Sequence, residues 1–306
     1  MNRRHRGAAQ EIHGILLLDK PVDRTSNEAL QEVKKLFRAR KAGHTGSLDR
    51  MASGMLPLCF GEATKFSAYL LDADKRYSAT CKLGVRTATG DAAGAVLSVQ
   101  RVPEVGSGQI ERALQAFRGE IEQTPPMFSA IKHEGQRLYK LAYQGIEVDR
   151  RPRTIVIHEL ELVGAAADEF QIRVVCSKGT YIRTLADDIG QRLGCGAHVL
   201  KLRRTGVGPF RESEMVILAQ AEEAARTGSE ATAQILLGAD AMLRGHPEVV
   251  LGDTVAYYLC QGQPVIVPHA PTDGLVRMYD EAKRFLGVGE ILDDGRVAPR
   301  RLVNPS

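Results

Sequence analysis

Gly43-His44-Thr45-Gly46-Ser47-Leu48-Asp49-Arg50-Met51-Ala52-Ser53-Gly54 is a glycine-rich stretch with one acid and one imidazole. It has neither the helical nor the strand period, so it reads as a loop. It is not a phosphate-binding P-loop, because the G-K-[ST] ending is missing. His44 has no second histidine at ligand spacing, which argues against a metal site. Taken alone, the stretch fits a plain glycine turn as well as it fits a site.

Outward from this loop the chain mixes strands and helices. Gly14 to Leu18 reads as a strand ended by Lys20-Pro21. Thr25-Ser26-Asn27-Glu28 has the form of a capping box, and Leu30, Val33, Leu36 and Phe37 then recur at helical spacing, predicting a helix from about Asn27 to Arg38. Gly54 to Tyr69 reads as mostly helical once past Pro57 and Gly61. Arg76 to Leu83 alternates, with Tyr77, Ala79, Cys81 and Leu83 on one face, the pattern of a half-buried strand. Thr154 to Leu162 and Phe170 to Cys176 predict two strands joined through Gly164–Asp168. Ile182, Leu185, Ile189 and Leu193 predict an amphipathic helix stopped by Gly194. Residues 219–246 read as helices, and short β-like runs follow (Pro264 to Val267, Leu275 to Tyr279, Phe285 to Ile291). Without strict βα alternation, the fold class is α+β on a mainly antiparallel, mixed sheet. The expected division is 1–245 as the main domain and 246–306 as a small β-rich one.

The chain has 306 residues, 43% hydrophobic and 25% charged, which is an ordinary globular composition. No apolar run approaches membrane-spanning length. The basic Met1–Arg6 segment is not followed by a signal-peptide core. Five cysteines without a CxxC pair argue against a disulfide framework or structural zinc and point to a reducing, cytoplasmic setting. The net charge of +4 is modest, but the cations cluster: Lys34, Lys35, Arg38, Arg40 and Lys41; Arg150, Arg151 and Arg153; Lys201, Arg203 and Arg204; Arg296, Arg300 and Arg301. They fit either solvated faces or separate contacts to a polyanion.

Three segments together carry a resemblance. They are the loop above with Leu56-Pro57 and Gly61-Glu62-Ala63-Thr64-Lys65; Asp74-Lys75-Arg76-Tyr77; and Cys176-Ser177-Lys178-Gly179-Thr180-Tyr181-Ile182-Arg183-Thr184-Leu185. Pro125-Pro126-Met127-Phe128-Ser129-Ala130 and Gly194-Cys195-Gly196-Ala197-His198-Val199 with Leu202-Arg203-Arg204 extend it over residues 14 to 210. The sequence closely resembles the tRNA pseudouridine-55 synthases, the TruB family. The tail resembles the small RNA-binding PUA domain, most clearly at Phe285-Leu286-Gly287-Val288-Gly289-Glu290.

The resemblance implies isomerisation of uridine to pseudouridine in the tRNA T-loop. The N1–C1′ bond breaks and a C5–C1′ bond forms, with no net redox change or hydrolysis, so neither cofactor nor metal is called for. It makes Asp49 the catalytic carboxylate. Attack at C1′, addition to C6 and assisted elimination all stay open for it. Arg183 becomes its guanidinium partner, opposing the upward pull of burial on a carboxyl. Tyr77 becomes the tyrosine packed on the target base, or a plain core residue on the same strand face. Tyr181 and Leu202 match positions lining the uridine pocket, and Leu202 fits core equally well. His44 matches the residue that fills the space left by the flipped base. The implied partner is tRNA, gripped at the T-loop and acceptor stem by a monomer with no obligatory protein partner.

Two positions depart from the family. Arg50 stands where proline is usual, which is expected to free the turn and place a second cation beside Asp49. Tyr143 stands where arginine is common. Two rivals follow: an RNA-binding or RNA-folding protein with impaired catalysis, favoured by Arg50 alone, and a guide-dependent pseudouridine synthase. The latter kind carries extra N-terminal sequence, whereas this chain begins close to its first strand.

Overall fold

The computed structural model describes residues 10–304; the basic Met1–Arg6 segment lies outside them. A ten-stranded mixed sheet runs through the larger part of the chain. Its main path is Val216–Ile217, Gly14–Lys20, Ser53–Phe60, Ala197–Val207, Lys75–Leu83, Glu169–Cys176, Arg153–Ala166 and Gly119–Gln123. Neighbours are antiparallel except at two places: Val216–Ile217 beside Gly14–Lys20, and Ala197–Val207 beside Ser53–Phe60. That second parallel junction matters most, because it sets Ser53 and Gly54 opposite Arg203 and Arg204, directly after the Asp49 loop.

The first strand shows why both faces are covered. Leu16 and Leu18 enter one apolar cluster, with the helices Ser26–Leu36 and Ile182–Arg192. Ile15 and Leu17 enter a second, with Ala63, Phe66, Leu70 and Met242. A strand buried on both sides carries a continuous apolar run.

The same reasoning accounts for a difference from the sequence reading. Helix begins only at Gly61, while Ser53–Phe60 is a strand whose last seven residues are all buried. Such a run has no period to distinguish it from helix. Pro57 lies where the strand's partner changes from Ala197–Val207 to Ala42–His44, a position that tolerates a missing N–H. The β-like run Pro264 to Val267 forms only an isolated bridge at Val265, and several elements lay outside the sequence reading, among them Ser107–Gln115, Gly119–Gln123 and the two that follow. Ala197–Val207 is a strand at the centre of the sheet, and Asp253–Cys260 is a helix in the otherwise β-rich tail. The predicted hairpin is present, but its strands run to Ala166 and from Glu169.

The tail forms a separate four-stranded sheet in the order Glu248–Leu251, Leu275–Asp280, Phe285–Ile291, Val297–Leu302, closed over its own cluster of Val249, Leu259, Val276, Met278 and Val297.

Candidate active site

The Asp49 loop is held from several sides. Thr25 and Glu28 form the reciprocal capping box, which starts the Ser26–Leu36 helix at a defined residue. The buried Ser26 hydroxyl then accepts from Leu48 N–H at 2.7 Å and donates to Leu48 C=O at 3.2 Å. The next residue is Asp49. Behind it, Ala52 N–H closes a turn onto Asp49 C=O.

Lys20, at the end of the first strand, is completely buried. Its ammonium donates to the carbonyls of Pro21 and Arg24 at 2.8 and 2.7 Å. Burial lowers its pKa to about 8, against the raising influence of Asp49.

The Asp49 carboxylate meets Arg183 in a forked pair, with Nε to Oδ2 at 2.7 Å and Nη2 to Oδ1 at 3.2 Å. The two partners differ in exposure: the Arg183 side chain is 5% accessible and that of Asp49 is 41%. An oriented carboxylate therefore faces solvent while its counter-ion stays fixed. Arg183 also donates to the carbonyls of Thr89 and Phe128 and stands 4.0 Å from Asp91. Planar bidentate geometry of this kind demands arginine and not lysine.

Gln123 clamps the start of the Arg183 helix. Its amide donates to Tyr181 C=O at 3.1 Å and accepts from Tyr181 N–H at 2.8 Å. Tyr181 is half-buried, and burial pushes its phenol up. Tyr77, on Lys75–Leu83, is cross-strand partner to Arg204. Burial raises the Tyr77 phenol, and Arg204 opposes that rise. The Asp49 charge acts on both phenols. Leu202 is buried opposite Ala79, in the apolar cluster that holds Leu48 and against which Tyr77 packs. His44 closes the short strand Ala42–His44. It is half-buried, its Nδ1 has no hydrogen-bond partner among the described residues, and burial lowers its pKa, with Arg204 and Arg137 adding to the effect. A neutral ring is the form that this setting favours.

Two expectations are corrected here. Arg50 does not place a cation beside Asp49: its guanidinium turns to Glu28 Oε1 at 2.9 Å and Asp23 C=O at 3.0 Å. An exposed carboxylate at the capping box offers it a partner in solvent, where no charge need be desolvated. The cluster Lys201, Arg203 and Arg204 is not a free basic face. Arg203 is paired with Asp19 at 2.8 Å and Glu212 at 2.6 Å, and Arg204 is 1% exposed. Adjacent strand residues point to opposite faces. Arg151 and Arg153 remain exposed, whereas Arg296 and Arg300 are engaged by Asp294 and Glu290. Tyr143 is 77% exposed and edge-on to Phe128.

Asp91, Gln123, Ser26, Lys20 and Arg204 support the site without having been singled out for it. Ser26 lay within the capping box, and the turn Thr89-Gly90-Asp91 is a signal for Asp91, which accepts from Thr89 Oγ1 and Ala93 N–H.

The fold thus brings together a half-exposed carboxylate gripped by a buried arginine, with two tyrosines under its charge. Residues 34–182 match the family model described as "TruB family pseudouridylate synthase (N terminal domain)". Residues 183–244 match "tRNA pseudouridylate synthase B C-terminal domain", and residues 247–303 match "Pseudouridine synthase II TruB, C-terminal". The tRNA pseudouridine synthase B of Nitrosococcus oceani is 55% identical over 303 residues, 99% of this chain and 98% of the relative. That of Coxiella burnetii is 53% identical over 95% of each chain. The chain belongs to the TruB family of pseudouridine synthases. Among solved structures, a Cbf5–Nop10–Gar1 complex is similar at TM-score 0.73 and 27% identity, covering 96% of this chain and 84% of the other.

Proposed function

We propose that this chain isomerises the uridine at position 55 in the T-loop of tRNA to pseudouridine, without a cofactor. The observation that carries the proposal is the forked Asp49–Arg183 pair, with the carboxylate accessible and the cation buried. Asp49 is the reacting carboxylate, held ready by Arg183 and by Ser26 through Leu48. The target nucleotide leaves the stack and enters beside Asp49, with Tyr77, Tyr181 and Leu202 lining its pocket. His44 fills the space it vacates, a role that suits a neutral ring better than an imidazolium. The N1–C1′ bond breaks, C5 bonds to C1′, and the C5 proton leaves as N1 gains one.

The full-length likeness to tRNA pseudouridine synthase B at 52–55% identity supports tRNA as substrate over a guided RNA. The one feature that favoured a catalytically impaired RNA binder was Arg50, and its guanidinium is engaged by Glu28, away from Asp49. Residues 1–245 form the catalytic part and residues 246–306 a PUA-like module extending the grip toward the acceptor stem. The enzyme acts in the cytoplasm as a monomer, without an obligatory protein partner.

The test is incubation with an unmodified tRNA transcript and mapping of pseudouridine. Conversion confined to position 55 by the wild type, and none by Asp49→Asn, is expected. Binding of tRNA without conversion by either protein overturns the proposal.

A further inference from the structure

Arg204 is a fully buried arginine, and among the described residues no carboxylate pairs with it. Burying a guanidinium without a counter-ion is unfavourable, so one that persists this way has its charge stabilised by dipoles. Those dipoles come from both ends of the Asp49 loop. Nε donates to Met55 C=O at 2.7 Å, Nη2 to Gly46 C=O at 3.0 Å, and Nη1 to Ser47 C=O at 3.5 Å. Asp49 lies between these anchors, so one side chain ties the two feet of the loop together.

The backbone of Arg204 is also tightly packed against the loop's exit. A Cβ on Gly54, whose φ is +101°, would stand 2.3 Å from Arg204 C=O. Its unneutralised charge acts on Tyr77, His44, Lys20 and Lys75, all of which sense it.

We propose that Arg204 is a positioning residue for the isomerisation: it fixes the Asp49 loop at both feet and holds the Tyr77 phenol in place with an uncompensated positive charge. Carbonyl dipoles stabilise that charge without neutralising it, so Arg204 leaves a net positive charge beside Tyr77. The groups that weigh most on this phenol are Arg204, Cys176 and Asp49, and of these Arg204 is the cation. The inference rests on the function proposed above, because it assigns Arg204 a part in that reaction.

The experiment compares Arg204→Met and Arg204→Lys with wild type on an unmodified tRNA transcript. Single-turnover rate at saturating enzyme, tRNA affinity and tyrosinate ultraviolet absorbance against pH are read. Tyr77→Phe in each background isolates the Tyr77 titration. Arg204→Met is expected to slow the saturated step by about 100-fold, the scale of a loss of positioning. Arg204→Lys, which keeps the charge but loses the fork, is expected to slow it about tenfold. Both variants should bind tRNA within about threefold of wild type, since a buried side chain makes no phosphate contact. The Tyr77 titration should move to higher pH in Arg204→Met and much less in Arg204→Lys.

Wild-type rates in a folded Arg204→Met overturn the proposal, as does an affinity loss with an unchanged saturated rate. If Arg204→Met does not fold, Arg204→Lys decides: a rate equal to wild type sinks the idea. Failure of the underlying reading is distinguishable, because then wild type itself leaves the transcript unconverted.

Discussion

Replacing Arg183 by methionine removes a buried cation while roughly keeping its volume. Asp49 loses two charge-assisted hydrogen bonds, and the carbonyls of Thr89 and Phe128 lose their donor. Charge-assisted bonds contribute about 1.5–3 kcal/mol each, and the 41% exposure of Asp49 calls for a discount, leaving about 2–4 kcal/mol for the forked pair. If that energy serves to orient the carboxylate, the saturated rate falls by about 30- to 900-fold, at about 1.36 kcal/mol per decade. The two orphaned carbonyls cost about 1–3 kcal/mol each in stability, so unfolding should also shift downward by several degrees. Arg183→Lys should recover stability better than rate, because an ammonium keeps the charge but cannot form the fork. The assay is single-turnover release of tritium from uridine labelled at C5, since that hydrogen leaves when the new bond forms. A folded Arg183→Met with a saturated rate within about threefold of wild type would refute the reasoning, because losing the fork should remove at least about 2 kcal/mol.

Three other expectations concern the surroundings of the pair. Gly54→Ala should destabilise the protein by at least about 3 kcal/mol in urea denaturation, because its Cβ would meet Arg204 C=O at 2.3 Å and N at 2.8 Å; a loss under about 1 kcal/mol contradicts this packing. Asp188 is pushed up to about 6 by burial and then by the Asp187 carboxylate, with Arg86 opposing. The folded state thus holds this proton more tightly than the unfolded state. Its contribution is present below about pH 4 and is lost as pH rises through about 6, so Asp188→Asn should raise the melting temperature at pH 7.5 and not near pH 4; an offset independent of pH rules the explanation out. Arg50→Pro should leave the single-turnover rate within about threefold and stability within about 1 kcal/mol, as the loss of an exposed pair with Glu28 offsets the gain from a stiffer turn. A tenfold acceleration would instead show that the turn is slack with Arg50.

Much of the scaffold was legible because local signals agreed with it. The capping box at Thr25 and Glu28 set the start of the first helix. Alternation through Tyr77 marked its strand, and spacing through Ile182, Leu185 and Ile189 marked the helix of Arg183. The acid, its cation and the two tyrosines were all named from motif, and they converge in space. Where tertiary burial erased the period, the reading failed: Ser53–Phe60 is apolar throughout because both of its faces are covered.

Charge was the least legible property. Arg203 and Arg204 are neighbours of one type, yet the first forms half-exposed ion pairs and the second is sealed under the loop. Arg50 looked like a cation beside Asp49, but its guanidinium pairs with Glu28. Residue order carries the secondary structure where its period survives and points to the candidate reacting groups, because propensity, capping and motif are local. Which cation faces which carbonyl or carboxylate depends on strands brought together from 150 positions away, as Arg203 and Ser53 are, and only the folded sheet decides it.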